Sequence, residues 1–187
     1  MQAFLIAAGL VALAEIGDKT MLLAIVLAAR FQKPVPILLG IFAATIANHL
    51  MASAVGVFAG DLLQGPWMRW ALGLTFLGFA AWTLIPDTFE EDKDAPKATG
   101  RGVFLTTLIA FFLVEMGDKT QVATVALAAR FHEIFWVAAG TTIGMMLTNT
   151  PAVLIGQAAA HKLPLKAIRW TAAAAFAALG VWVLVTG

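Results

Sequence analysis

"AEIGDKT", residues 14–20, places a glutamate, an aspartate and a lysine inside an apolar run that extends from Ala3 to Ala29. One hundred residues later "VEMGDKT", residues 114–120, repeats the arrangement inside another apolar run. An ionised side chain at the centre of a hydrocarbon layer costs roughly 2.5 to 3.5 kcal/mol on insertion scales. Six such groups cannot each face lipid. The fold has to turn them toward one another, toward water, or toward a bound ion.

The chain around these stretches is 187 residues long, 61% hydrophobic and 12% charged, with a mean hydropathy of +0.89. That is far above the usage of a soluble domain and reads as an integral membrane protein. A hydrocarbon core of roughly 30 Å asks for about 20 apolar residues per helix. Six runs meet that length, near 3–29, 35–60, 68–86, 103–129, 134–158 and 168–186. They are too long and too little alternating for barrel strands, so the expected fold is all-α with six transmembrane helices. Glu15 and Asp18 in the first run, and the lack of a basic leader, argue against a cleaved signal peptide. Cysteine is absent, which excludes disulfides and thiolate metal sites.

Aligned without a gap at an offset of one hundred, "EIGDKTMLLAIVLAARF" meets "EMGDKTQVATVALAARF". The register persists: Gly40 meets Gly140, Gly56 meets Gly156, Arg69-Trp70 meets Arg169-Trp170, Phe76 meets Phe176 and Trp82 meets Trp182. The chain is a tandem duplication. Residues 1–86 form a first three-helix repeat, 87–102 a charged linker and 103–187 a second three-helix repeat. Three crossings per half is an odd number, so the halves are expected to be inverted with respect to each other.

Charge sets the expected orientation. Arg30, Lys33, Lys93, Lys97, Arg101, Lys162, Lys166 and Arg169 fall in the first, third and fifth connections, against Arg69 and Arg130 in the second and fourth. The positive-inside rule puts the odd connections in the cytoplasm and both termini outside. The linker's acids, Glu90, Glu91, Asp92 and Asp94, read as part of a solvated cytoplasmic segment. Trp67, Trp70, Trp82, Trp136, Trp170 and Trp182 lie mostly toward run ends, as headgroup-level anchors do.

On a continuous helix Glu15 and Asp18 share nearly one face, and Lys19 stands one turn from Glu15 and within reach of it. Glu115, Asp118 and Lys119 repeat this. Two buried salt bridges are a poor reason to duplicate the arrangement, because desolvation offsets the Coulomb gain. Four carboxylates and two ammonium groups sum to a formal charge of minus two, which balances one divalent cation. The predicted metal ligands are Glu15, Asp18, Glu115 and Asp118, with Thr20, Thr120, Gln121, Asn48 and Asn149 as further oxygen donors, and Lys19 and Lys119 balancing charge. Such oxygens make a hard site for Ca²⁺, Mn²⁺ or Mg²⁺. Asn48 and Asn149 each lie mid-run, although the gapless register pairs Asn48 with Thr148. Met21, opposite Gln121 in the alignment, reads as packing, and His49 as a helix-contact residue; His132 and His161 belong to loops and interfaces.

Protons and a metal compete for the same carboxylates, which couples a divalent ion moving one way to protons moving the other. Gly17 and Gly117 lower helix propensity by about 1 kcal/mol relative to Ala. They allow either a close backbone approach or a local unwinding. No resident cofactor and no nucleic acid are expected; the partners are lipid, the cation and protons, and the helix count neither requires nor forbids a homodimer.

These residues resemble the small cation/proton exchangers of the Gdt type. The family's mark is a duplicated Glu-hydrophobic-Gly-Asp-(Lys/Arg)-(Ser/Thr) motif, met here by Glu15-Ile16-Gly17-Asp18-Lys19-Thr20 and by Glu115-Met116-Gly117-Asp118-Lys119-Thr120. The resemblance covers the whole chain. It implies that Glu15, Asp18, Glu115 and Asp118 bind the transported ion, and Gln121 follows the second motif as it often does in the family. A short chain is similar to the bacterial branch, which implies manganese export across the inner membrane, with calcium as the next cargo. The competing readings are a passive divalent channel or importer with the same site, and an intramembrane aspartyl protease built on the two Gly-Asp pairs.

Overall fold

The computed structural model describes residues 1–62, 65, 67–85, 102–155 and 164–186. The linker apart from Gly102, with its four acids, as well as Gly156 and His161, lies outside the described residues. Among the described residues the chain is all helical. The helices are α1 (Gln2–Glu15), α2 (Lys19–Phe31), α3 (Pro34–Leu62), α4 (Met68–Thr83), α5 (Val103–Glu115), α6 (Lys119–Phe131), α7 (Ile134–Ile155) and α8 (Leu165–Thr186).

The runs 3–29 and 103–129 are each two helices, which corrects the expectation of one continuous helix carrying Glu15 and Asp18 on a face. α1 stops at Glu15, Ile16 is extended, Gly17 has φ +82° and Asp18 is the N-cap of α2. In the second half Glu115, Met116, Gly117 with φ +78° and Asp118 do the same. A left-handed backbone costs an L-residue roughly 1–2 kcal/mol, a cost glycine escapes. Glycine one position before the aspartate therefore decides where each helix ends. A backbone bond spans each break: Asp18 N–H donates to the Glu15 carbonyl at 3.1 Å, and Asp118 N–H to that of Glu115 at 3.1 Å.

Packing exchanges elements between the halves. α3 lies along α5 and α6, while α7 lies along α1 and touches α2. Gly40 makes the first crossing possible, since a Cβ there would stand 2.8 Å from the Phe104 carbonyl oxygen. Gly140 makes the equivalent one, with a Cβ 2.5 Å from the Phe4 carbonyl oxygen. α4 and α8 pack on each other and then mainly against α1 and α6, burying Phe76, Phe79, Phe176 and Val183 against Ala7, Leu10 and Leu127. A second cluster joins Leu23 and Leu27 of α2 to Ile37, Ile41 and Phe111.

The polarity is inverted relative to a soluble domain. Glu15, Glu115, Asn48, Asn149 and His49 are fully buried, whereas Leu5, Val35, Phe58, Leu74, Phe135 and Val185 are exposed. Exposed apolar side chains over so much of the surface need an apolar solvent, and a bilayer is one. α3 and α8 are individually long and apolar enough to cross it. At about 1.5 Å per residue, a helix of α1's length covers roughly 21 Å and stops inside a layer of roughly 30 Å. The two breaks therefore belong to the interior of the molecule.

Candidate cation site

Helix ends assemble the site. The last carbonyls of α1 and α5 and the first N–H groups of α2 and α6 have no intrahelical partners, and the opposite half supplies some. Thr148 donates to the Ala12 carbonyl at 3.2 Å, and Asn48 donates to the Phe112 carbonyl at 3.1 Å. Ala12 and Phe112 are one hundred residues apart, as are Asn48 and Thr148, so the gapless register describes the packing better than the likeness of Asn48 to Asn149.

An aspartate at an N-cap usually accepts a bond from the backbone of its own first turn. Neither Asp18 nor Asp118 makes that side-chain bond. Their carboxylates meet Glu15 instead: one ligand atom from each of Glu15, Asp18 and Asp118 lies within 4.8 Å of the others, and all three residues are buried. Two come from the first half and one from the second. Thr20 donates a short hydrogen bond to Glu15 Oε2, while Glu15 Oε1 and Asp118 Oδ2 have no hydrogen-bond partner. Thr120 is the second hydroxyl beside Glu15.

Lys19 reaches across to the other half as well as standing one turn from Glu15 in sequence. Its Nζ stands 3.0 Å from Asp118 Oδ1, in the other half; the break at Gly17 has turned α2 away from the end of α1. Lys119 donates to the Ile85 carbonyl at 3.2 Å and lies 5.9 Å from the Trp82 ring centre. Glu115 faces α3, where Asn48 Nδ2 donates to its Oε2 at 3.3 Å and His49 Nε2 stands 3.3 Å from its Oε1. His49 thus joins the polar centre, beyond the helix-contact reading; its direct neighbour Asn48 in an apolar run was the signal. Asn149 donates to the Met145 carbonyl of its own helix at 3.1 Å and leaves its Oδ1 without a partner. Gln121 Oε1 accepts the Gly117 N–H at 2.7 Å, and Met21 Sδ takes the Gly17 N–H at 3.4 Å. These two residues close the breaks.

A small pocket of about 20 Å³, room for about one water, reaches Asp18 between the end of α4 and the start of α8. Thr83, Lys119, Thr120 and Arg169 line it. A larger groove of about 410 Å³ between α1 and α8 has an almost wholly apolar lining and holds none of the charged groups. Buried carboxylate oxygens without donors fit a hard cation as cargo.

The family profile described as "Divalent cation/proton antiporter GDT1" matches residues 3–91 and 103–187. The chain belongs to that family. A Vibrio cholerae protein named "Putative manganese exporter" is 48% identical to this GDT1 member over 167 residues, covering 89% of the chain and 82% of the relative. "GDT1-like protein 5" of Arabidopsis thaliana is 26% identical over 223 residues, covering 100% of the chain and 96% of the relative. A Synechocystis GDT1-like protein is 29% identical over 181 residues, covering 85% of each. No solved structure gives a significant match. GDT1 proteins are transporters and not enzymes, so the protease reading is set aside.

Proposed function

We propose that this GDT1 member exports a divalent cation from the cytoplasm in exchange for protons, with Mn²⁺ the first cargo and Ca²⁺ the next. The observation that carries the reading is the meeting of Glu15, Asp18 and Asp118, buried, from both halves, with ligand atoms within 4.8 Å of one another. Glu115 completes the acidic set from the α3 side, and Thr20, Thr120, Asn48 and Asn149 supply neutral oxygens near it. Gln121 contributes by holding the second break, and Lys19 and Lys119 balance charge. Manganese as first cargo is supported by the name of the Vibrio cholerae relative.

The proposed topology is two inverted three-helix repeats, 1–86 and 103–187, joined by the cytoplasmic linker 87–102, in the inner membrane with both termini outside. Each broken pair, α1 with α2 and α5 with α6, counts as one crossing. Alternating access is supported by an asymmetry between equivalent contacts. Leu165 sits over the first break, where a Cβ on Gly17 would meet its Cδ2 at 2.5 Å, whereas among the described residues nothing stands within 4 Å of a Cβ on Gly117. α8 packs on α1 and α4 on α6; the duplication offers α4 on α5 and α8 on α2 as the equivalent set. Exchange of one set for the other opens the site to the other side. A monomer has all the elements this needs.

The test is flux in sealed proteoliposomes. An imposed pH gradient drives Mn²⁺ against its own gradient. A channel only dissipates an existing Mn²⁺ gradient, and that result sinks the exchanger reading.

A further inference from the structure

The oxygen donors at the centre bind Ca²⁺, Mg²⁺ and Mn²⁺ alike, so they do not by themselves separate these ions. His49 breaks the uniformity. It is fully buried, and its Nε2 is 3.3 Å from Glu115 Oε1. That contact lacks hydrogen-bond alignment, and among the described residues Nδ1 has no hydrogen-bond partner. A buried polar ring kept for packing is bonded at its nitrogens. The register places Asn149 opposite His49 in the second half, so the fold itself does not require an imidazole at this point of the helix. The nitrogen is present once, on the half of the centre where Glu115 is held.

We infer that His49 is the specificity-determining residue of the cation site, its imidazole nitrogen joining the carboxylates to favour transition-series divalent cations over Ca²⁺ and Mg²⁺. The inference rests on the proposed cation site and adds its selectivity. A transition-metal ion accepts an imidazole nitrogen, whereas Ca²⁺ and Mg²⁺ take oxygen. With His49 in the ring of donors, Ca²⁺ gives up one oxygen ligand, and Mn²⁺ gains a nitrogen. Asn48, on the same turn, keeps Glu115 aligned with the ring through its bond to Oε2.

The experiment uses the full chain in detergent with Mn²⁺ as the probe, read by pulsed electron paramagnetic resonance, with Ca²⁺ competition measured on the same samples. Wild-type protein shows nitrogen coupling to bound Mn²⁺ that changes when histidine is labelled with ¹⁵N. The chain has three histidines, and His132 is exposed beside Asp61, so His49→Asn assigns the signal. That variant, which copies Asn149, loses the coupling and loses about 10-fold or more in Mn²⁺ preference over Ca²⁺, the range for a lost metal-site neighbour. Mn²⁺ bound to wild-type protein without nitrogen coupling overturns the inference, and this arm needs no variant to fold. Equal weakening of Mn²⁺ and Ca²⁺ in His49→Asn makes His49 a positioning residue for Glu115 and overturns it too. Wild-type protein that binds no divalent cation overturns the proposed site together with this inference.

Discussion

Lys19 Nζ and Asp118 Oδ1, from opposite halves of the chain, stand 3.0 Å apart and tie the first helix break to the second. Asp118 is also one of the three carboxylates whose ligand atoms converge. The ammonium group therefore occupies the flank of the space a cation would take. Asp118 is buried while the Lys19 side chain is 30% exposed, so loss of the ammonium group leaves a buried carboxylate without this partner at less cost than in a fully buried pair.

Lys19→Gln is therefore expected to lower the melting temperature in cation-free buffer and to regain most of it when Mn²⁺ is added, because the ion replaces the missing positive charge. Thermal unfolding with and without Mn²⁺ measures both. An unchanged response to Mn²⁺ relative to wild type removes Asp118 from the site.

Glu15→Gln and Glu115→Gln are both expected to abolish Mn²⁺/H⁺ exchange while leaving the protein inserted. Equilibrium binding should separate them. Glu15 belongs to the converging trio, so its variant loses Mn²⁺ binding; Glu115 faces Asn48 and His49, so its variant retains weakened binding. Full transport in either variant counts against the assignment.

Gly17→Ala meets both a left-handed backbone and Leu165, whereas among the described residues Gly117→Ala meets the backbone alone. The second change should cost about 1–2 kcal/mol and the first more. Adding Leu165→Ala should recover part of the loss at Gly17 and none at Gly117. A double-mutant cycle on unfolding free energy reads the coupling; an additive result removes Leu165 from its place over the first break.

Gly140→Val should separate α7 from α1, since even a Cβ there approaches the Phe4 carbonyl oxygen to 2.5 Å. Overpacking of this kind costs roughly 1–3 kcal/mol. Gly9→Ala, on the same α1 but with nothing among the described residues within 4 Å of its Cβ, is the control and should stay near wild type in melting temperature.

The gapless repeat made much of the fold legible. It paired Gly40 with Gly140, and the structure gives both the same job at equivalent crossings. It also paired Asn48 with Thr148, which cap equivalent carbonyls. The breaks at Gly17 and Gly117 were among the sequence alternatives, but the helical face drawn through Glu15 and Asp18 was not maintained, because one left-handed residue between them redirects the chain. His49 was read as a helix contact, and only the packing names the residue it meets on another helix, Glu115.

Composition, run length and the duplicated motif dictated an all-helical chain, its repeat register and the residues that had to leave lipid, since each of these depends on free energies local to one stretch of chain. Which carboxylates converge, that Lys19 reaches Asp118 and that Leu165 covers the first break were settled by how helices of the two halves stack. Nearly equal copies offer each contact twice in sequence: the crossings at Gly40 and Gly140 take both, whereas the stacking of α8 on α1 and of α4 on α6 is one of the two sets the repeat offers.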